Sequence, residues 1–140
     1  MAKSDLEMLQ KVPIFSELSK KHIKFVLKES NPELFSPGQT IVKQGDPGGR
    51  FFVIFEGLAD VLQGNRKKAK LGAGDYFGEM SVLDRHPRSA TVQADTHVRG
   101  VSLASWNFLA LVEENPSMAK NLLTHLSKRV RALEGAAHSH

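Results

Sequence analysis

Apolar residues follow two rhythms along this chain. Near both ends they recur at three- and four-residue steps, as on one side of a helix, whereas from about Glu33 to Leu103 they come as short runs cut by glycine. That segregation of helical from strand signals predicts an α+β fold. The stretch Ser19 to Glu29 is predicted helical, with Ser19 as its N-cap, Ile23, Val26 and Leu27 on one side, and Pro13 and Pro32 bracketing the region. In the middle, Ser36-Pro37-Gly38, Gly45-Asp46-Pro47-Gly48-Gly49, Gly57, Gly64-Asn65, Gly72 and Gly74 are the punctuation of an antiparallel sheet with tight turns. Phe51-Phe52-Val53-Ile54-Phe55 is too continuous for a strand with one wet face, so it is expected to run through the core. Gly64-Asn65 joins Ala59-Asp60-Val61-Leu62 to Lys68-Ala69-Lys70-Leu71 as a hairpin. Many short strands at this spacing point to a sandwich, a jelly roll or a barrel.

Beyond Leu103 the helical rhythm returns. Ser105 is the expected cap of a helix carrying Trp106, Phe108, Leu109 and Val112, with Trp106 and Phe108 expected in the core. A second helix follows at once, because Asn115-Pro116 places a capping side chain before a proline at the first helical position, and Gly135 is suited to end it. Ala119, Leu122, Leu126, Val130 and Leu133 form one apolar stripe along that helix, which must cover something or pair with a second copy. Residues 136–140 are small and polar, and are expected to form a disordered tail.

Composition narrows the class. At 140 residues, 41% of them hydrophobic and 24% charged, one domain with one core is expected, spanning residues 1–135. The chain has no cysteine, so nothing in it calls for disulfides. No run approaches the roughly 20 apolar residues of a spanning helix, and Met1-Ala2-Lys3-Ser4-Asp5 lacks the apolar segment of a secretory signal. The expected location is therefore cytoplasmic, with no membrane partner. The net charge of +4 is spread over Lys20, Lys21 and Lys24, over Arg66, Lys67, Lys68 and Lys70, and over Lys128, Arg129 and Arg131. Each cluster falls on a helix face or hairpin tip, where solvated charge is the simpler reading, and no direct DNA binding is expected. After Glu134 only six residues remain in this sequence, too few for a helix-turn-helix. The histidines include no trusted pair at metal-ligand spacing and no Gly-x-Ser-x-Gly elbow is present, so neither a metal site nor an enzyme is expected.

The informative stretch is Leu71 to Val92, LGAGDYFGEMSVLDRHPRSATV. Glu79-Met80-Ser81-Val82-Leu83 suits about one helical turn directly after Gly78, which presents unpaired N–H groups to an anion. Nine residues after Glu79 stands Arg88, whose forked donors suit a phosphate. A carboxylate beside a phosphate repels it unless a donor occupies the carboxylate, and a sugar hydroxyl is such a donor. Arginine, helix amides and glutamate together fit a ligand with a phosphate and a nearby ribose. The plainer alternative is an ion pair between Glu79 and Arg88.

These residues resemble the phosphate-binding cassette of the cyclic-nucleotide-binding domain family: Phe77-Gly78-Glu79, Ser81, Leu83 and Pro87-Arg88-Ser89-Ala90-Thr91-Val92 follow its pattern without a gap. Pro13-Ile14-Phe15 with Leu18, Pro37-Gly38, Gln44-Gly45-Asp46, Gly57 and Gly74-Asp75 extend the resemblance over nearly the whole chain. It implies an antiparallel β-roll or jelly roll of about eight strands flanked by N- and C-terminal helices. It further implies that Glu79 accepts the ribose 2′-hydroxyl, that Arg88 pairs with the cyclic phosphate, that the amides of Gly78, Glu79 and Met80 donate to the same region, and that Ser89 reaches the phosphate or the base. The ligand that the resemblance implies is cyclic AMP or cyclic GMP, with serine at position 89 favouring cyclic AMP, and no cofactor is implied. The family's C-terminal helix folds over the base, often with an aromatic lid, yet no aromatic residue follows Phe108, which leaves Leu126, Arg129, Val130 or Leu133 for that role. The implied function is a regulatory, non-catalytic module that moves its C-terminal helix on binding nucleotide and acts on an unknown protein, with a homodimer through that helix as a further possibility. The alternatives are an interaction scaffold that no longer binds nucleotide and a fragment of a larger cyclic-nucleotide-regulated protein.

Overall fold

The computed structural model describes residues 3–138, with side-chain surroundings for 5–134. Its helices are α1 (Lys3–Lys11), α2 (Lys20–Glu29), α3 (Glu79–Asp84), α4 (Ser105–Glu114) and α5 (Pro116–His138), with a 3-10 turn at Pro13–Phe15. The strands are β1 (Asn31–Phe35), β2 (Thr40–Val42), β3 (Arg50–Glu56), β4 (Ala59–Gln63), β5 (Arg66–Leu71), β6 (Tyr76–Phe77), β7 (Thr91–Ala94) and β8 (Val98–Ala104). They pair antiparallel into two four-stranded sheets, β1-β8-β3-β6 and β2-β7-β4-β5. The expected α+β roll with helices at both ends is the architecture adopted.

Strand β3 shows why its sequence is apolar at nearly every position. Alternate residues of a strand face opposite sides. Phe51, Val53 and Phe55 point into a core shared with the helices, with Leu9, Ile14, Phe15, Ile23, Val26, Phe108, Leu111, Met118 and Leu122. Ile54 points the other way, between the sheets, with Ala59, Val92, Ala94 and Val98. On the neighbouring strand β8, Val101 and Leu103 face the helices, while Gly100 has no side chain because a Cβ there would lie 2.1 Å from the Val53 carbonyl oxygen.

Local signals place several elements. Ser19 caps α2, its hydroxyl accepting from the His22 amide at 3.2 Å. The Gly64-Asn65 hairpin forms with Gly64 at φ 58, and its strands run one or two residues further toward the turn than the sequence indicates. Helix α1 has no counterpart in the sequence reading. It is short and mostly polar, and tertiary contacts hold it: Leu9 is buried, and Asp5 takes two hydrogen bonds from Arg99 of β8 at 3.0 and 3.3 Å.

Four details of the C-terminal helices differ from expectation. Ser105 is the first residue of α4 rather than its cap; the cap position is Ala104, and no side chain bonds the helix start. The Ser105 amide instead donates to the Gly49 carbonyl at 3.0 Å, which ties α4 to the loop before β3. The Asn115 side chain closes the preceding helix, donating to the Leu111 carbonyl at 2.9 Å, while its backbone oxygen receives the Met118 and Ala119 amides. Helix α5 continues past Gly135 to His138, so that glycine does not stop it; Ser139 and His140 lie outside the described residues. Phe108 is buried as expected, but Trp106 is 71% exposed, because only one side of α4 meets the roll. The apolar stripe of α5 is likewise covered only at its start: Leu122 is buried and Leu126 half-buried, whereas Val130 and Leu133 are 52% and 72% exposed.

Candidate functional site

The stretch between β6 and β7 builds the site. Gly78 sits in the left-handed region at φ 98, directly before α3. A Cβ at this position would come within 2.6 Å of the Arg50 carbonyl oxygen and 2.7 Å of Arg88 Nη1, so conformation and space both require glycine. Helix α3 ends at Arg85, also left-handed at φ 60, and the chain turns through His86-Pro87 to Arg88. The loop around Arg88 is fastened to the loop before β3: the Arg88 amide donates to the Asp46 carbonyl at 2.8 Å and the Gly45 amide to the Arg88 carbonyl at 2.9 Å. On the other side of that loop, a Cβ on Gly48 would lie 2.3 Å from Ser81 Cβ, which explains small residues at both positions.

Arg88 is only 8% exposed. Its Nη2 donates to the Arg50 carbonyl at 2.9 Å, its guanidinium lies 5.9 Å from the Phe52 ring centre, and Phe52 stacks on Phe77 at 4.9 Å. Its Nη1 is buried without a hydrogen-bond partner. Burial lowers the Arg88 pKa and the Glu79 charge opposes that shift. Beside it opens a cleft of about 260 Å³ lined by Ile41, Lys43, Asp46, Gly49, Arg50, Phe52 and Arg88, among others. A desolvated guanidinium with an unpartnered donor, on a residue that lines an open cleft, suits an anion that accepts hydrogen bonds.

Glu79, 3% exposed, is not paired with Arg88. Its Oε1 accepts from Arg129 Nη1 of α5 at 2.8 Å, across fifty residues of sequence. Arg129 itself remains half-exposed. Beneath this pair, Tyr76 contacts Phe51 and the His125 ring, at 5.4 and 5.3 Å between centres. Its hydroxyl is buried without a partner, and burial, then the Glu79 charge, pushes the phenol well above its ordinary pKa while Arg129 opposes the rise.

The structure brings Gly78, Glu79 and Arg88 together. Met80 is exposed on α3, and Ser89 is exposed with its carbonyl accepting from Gln63 Nε2 at 3.4 Å. Of the four lid candidates, Arg129 reaches the cassette, Leu126 packs on the core, and Val130 and Leu133 lie open. Sequence reasoning passed over Arg50 and Phe52. A strand that reads as core hides both, and no local motif marks them.

The sequence model described as "Cyclic nucleotide-binding domain" matches residues 32–115. The potassium/sodium hyperpolarization-activated cyclic nucleotide-gated channel 3 of Mus musculus is 34% identical over 122 residues, which is 87% of this chain and 16% of the channel. The chain thus spans about one-sixth of that relative's length. Among solved structures, the catabolite activator protein of Thermus thermophilus superposes with a TM-score of 0.78 at 31% identity, covering 87% of this chain and 60% of that one. A structure described as cAMP-bound PfPKA-R superposes with a TM-score of 0.84 at 25% identity, covering 96% of this chain and 47% of that one.

Proposed function

Because the chain belongs to the cyclic nucleotide-binding domain family, we propose that it is a regulatory module whose cleft takes a purine 3′,5′-cyclic nucleotide, cyclic AMP in preference to cyclic GMP. The observation that carries this reading is that Arg88, which lines the cleft, keeps a buried Nη1 without a hydrogen-bond partner. A cyclic phosphate supplies the missing acceptor. Glu79 accepts the ribose 2′-hydroxyl, the amides at Gly78, Glu79 and Met80 face the same region, and Ser89 serves the phosphate or the base.

Arg129 occupies Glu79 through α5, so the ribose and Arg129 compete for one carboxylate. When the nucleotide takes Glu79, Arg129 is released to stack on the base as the lid, and α5 shifts. The ligand moves α5 only by the difference in its affinity for the two arrangements. The module does no chemistry on the nucleotide; it changes the surface offered to a partner. The exposed Val130 and Leu133 support a homodimer through α5. The activities of the longer relatives are compatible with this chain acting as one part of a larger cyclic-nucleotide-regulated protein in the cytoplasm.

Calorimetry on protein stripped of ligand by unfolding and refolding, titrated in turn with cyclic AMP and cyclic GMP, tests the proposal. Saturation near one nucleotide per chain, tighter for cyclic AMP, supports it. Folded protein that gives no binding with either nucleotide, by heat or by displacement of a fluorescent analogue, replaces it with an interaction scaffold.

A further inference from the structure

Arg88 is aimed by very little. Among the described residues, its side chain has one protein hydrogen bond, from Nη2 to the carbonyl of Arg50, and the aromatic contact with Phe52. Whatever orients the Arg50 carbonyl therefore orients the buried guanidinium. That carbonyl belongs to the first residue of β3, directly after Gly48-Gly49, where the chain has no side chains to pack. Backbone register with Ala104 of β8 supplies part of the restraint.

The Arg50 side chain supplies the rest. Its Nε donates to the Ser102 hydroxyl at 2.8 Å and its Nη2 to the Ser102 carbonyl at 3.1 Å. Ser102 lies in the middle of β8 with no exposure at all, and its hydroxyl donates to Glu33 Oε2 of β1 at 2.5 Å. In register, Phe52 and Asn31 flank Ser102 on the two neighbouring strands, so the three polar groups cross the sheet diagonally on the face that carries Phe52. A hydroxyl buried in a strand is retained at a cost unless both its hydrogen-bonding functions are used, and here both are used.

We infer that Ser102, braced by Glu33, is a positioning residue for nucleotide binding: it holds Arg50 so that the Arg50 carbonyl aims Arg88 at the phosphate. This rests on the reading of the cleft as a cyclic-nucleotide site. Ser102 touches no ligand. It acts through two arginines, from the sheet to the cleft.

The experiment is a mutant cycle read by cyclic AMP affinity, with thermal unfolding of the nucleotide-free proteins to verify folding. Ser102→Ala is expected to weaken cyclic AMP binding about three- to tenfold, the range of one lost hydrogen bond. In an Arg88→Lys background, which lacks the fork that the Arg50 carbonyl orients, the same substitution is expected to cost less than about twofold. Glu33→Gln keeps an acceptor for the Ser102 hydroxyl and is expected to bind within about twofold of wild type, whereas Glu33→Ala follows Ser102→Ala in direction. The half-exposed Glu33 site gives the second variant should Ser102→Ala not fold. An unchanged affinity in folded Ser102→Ala, or an equal loss in both backgrounds, overturns the positioning role and leaves the site reading standing. Wild-type protein that takes up no cyclic nucleotide overturns the site reading, and the positioning role with it.

Discussion

Arg129 Nη1 lies 2.8 Å from Glu79 Oε1, so the last helix of the chain is fastened to the cassette through the carboxylate that the ribose would need. Glu79 is buried and Arg129 half-exposed. An ion pair with one exposed member adds little to global stability, on the order of 0–1 kcal/mol. Its consequence is local, because it fixes where the distal turns of α5 lie. Arg129→Ala is expected to raise amide exchange in residues 127–134 while leaving β3 and β8 protected, measured by hydrogen–deuterium exchange with mass spectrometry. Unchanged exchange there removes the fastening role.

Arg88→Ala is expected to weaken cyclic nucleotide binding by about 2–5 kcal/mol, since a phosphate is then left facing a site without its charged partner. Competition against a fluorescent nucleotide analogue measures it. A loss smaller than about threefold contradicts the assignment of Arg88 to the phosphate.

Gly78→Ala puts a side chain where φ is 98 and where the Arg50 carbonyl and Arg88 Nη1 already stand. Backbone strain of this kind costs about 1–3 kcal/mol. The variant is expected to unfold at a lower temperature and to lose nucleotide affinity as well, because relief of the clash displaces Arg88. Calorimetric unfolding and nucleotide titration on the same preparation distinguish the two losses.

Tyr76 carries a buried hydroxyl without a partner. Tyr76→Phe removes that unsatisfied group and keeps the ring, so the nucleotide-free protein is expected to gain about 1 kcal/mol in urea unfolding at neutral pH. A loss of stability there shows that the hydroxyl is satisfied in solution.

The same phenol sets an alkaline signature. Its pKa is raised in the folded protein, chiefly by burial, above the value of about 10 of an unfolded tyrosine. Above that pH the unfolded chain releases a proton that the folded chain retains, so stability falls as pH rises. Denaturation midpoints between about pH 9 and 11 are expected to fall less steeply in Tyr76→Phe than in wild type. Parallel slopes exclude Tyr76 as the titrating group.

Much of this protein is written locally. The Ser19 cap and the Gly64-Asn65 turn each answer to the backbone geometry of their immediate neighbours, so one sequence window determines them. Phe51 to Phe55 announced a strand buried on both faces, and the structure gives it a core on each side. The nearness of Glu79 to Arg88 was legible too, because a short helix and the loop after it carry the whole cassette within sixteen residues, Phe77 to Val92.

What the sequence could not determine by itself depends on which distant surfaces meet. Ser105 and Asn115 have the chemistry of caps, but the loop before β3 takes the Ser105 amide and the end of α4 takes the Asn115 side chain. Trp106 has the composition of a core residue and faces outward, since one side of α4 alone touches the roll. Arg129 reaches Glu79 and Arg50 reaches Ser102 across about fifty residues each, separations at which no periodicity or spacing carries information. Local rules choose the conformation of a segment. The packing of helices against the two sheets chooses its partners, and that packing alone decided which arginine holds Glu79 and which carbonyl aims Arg88.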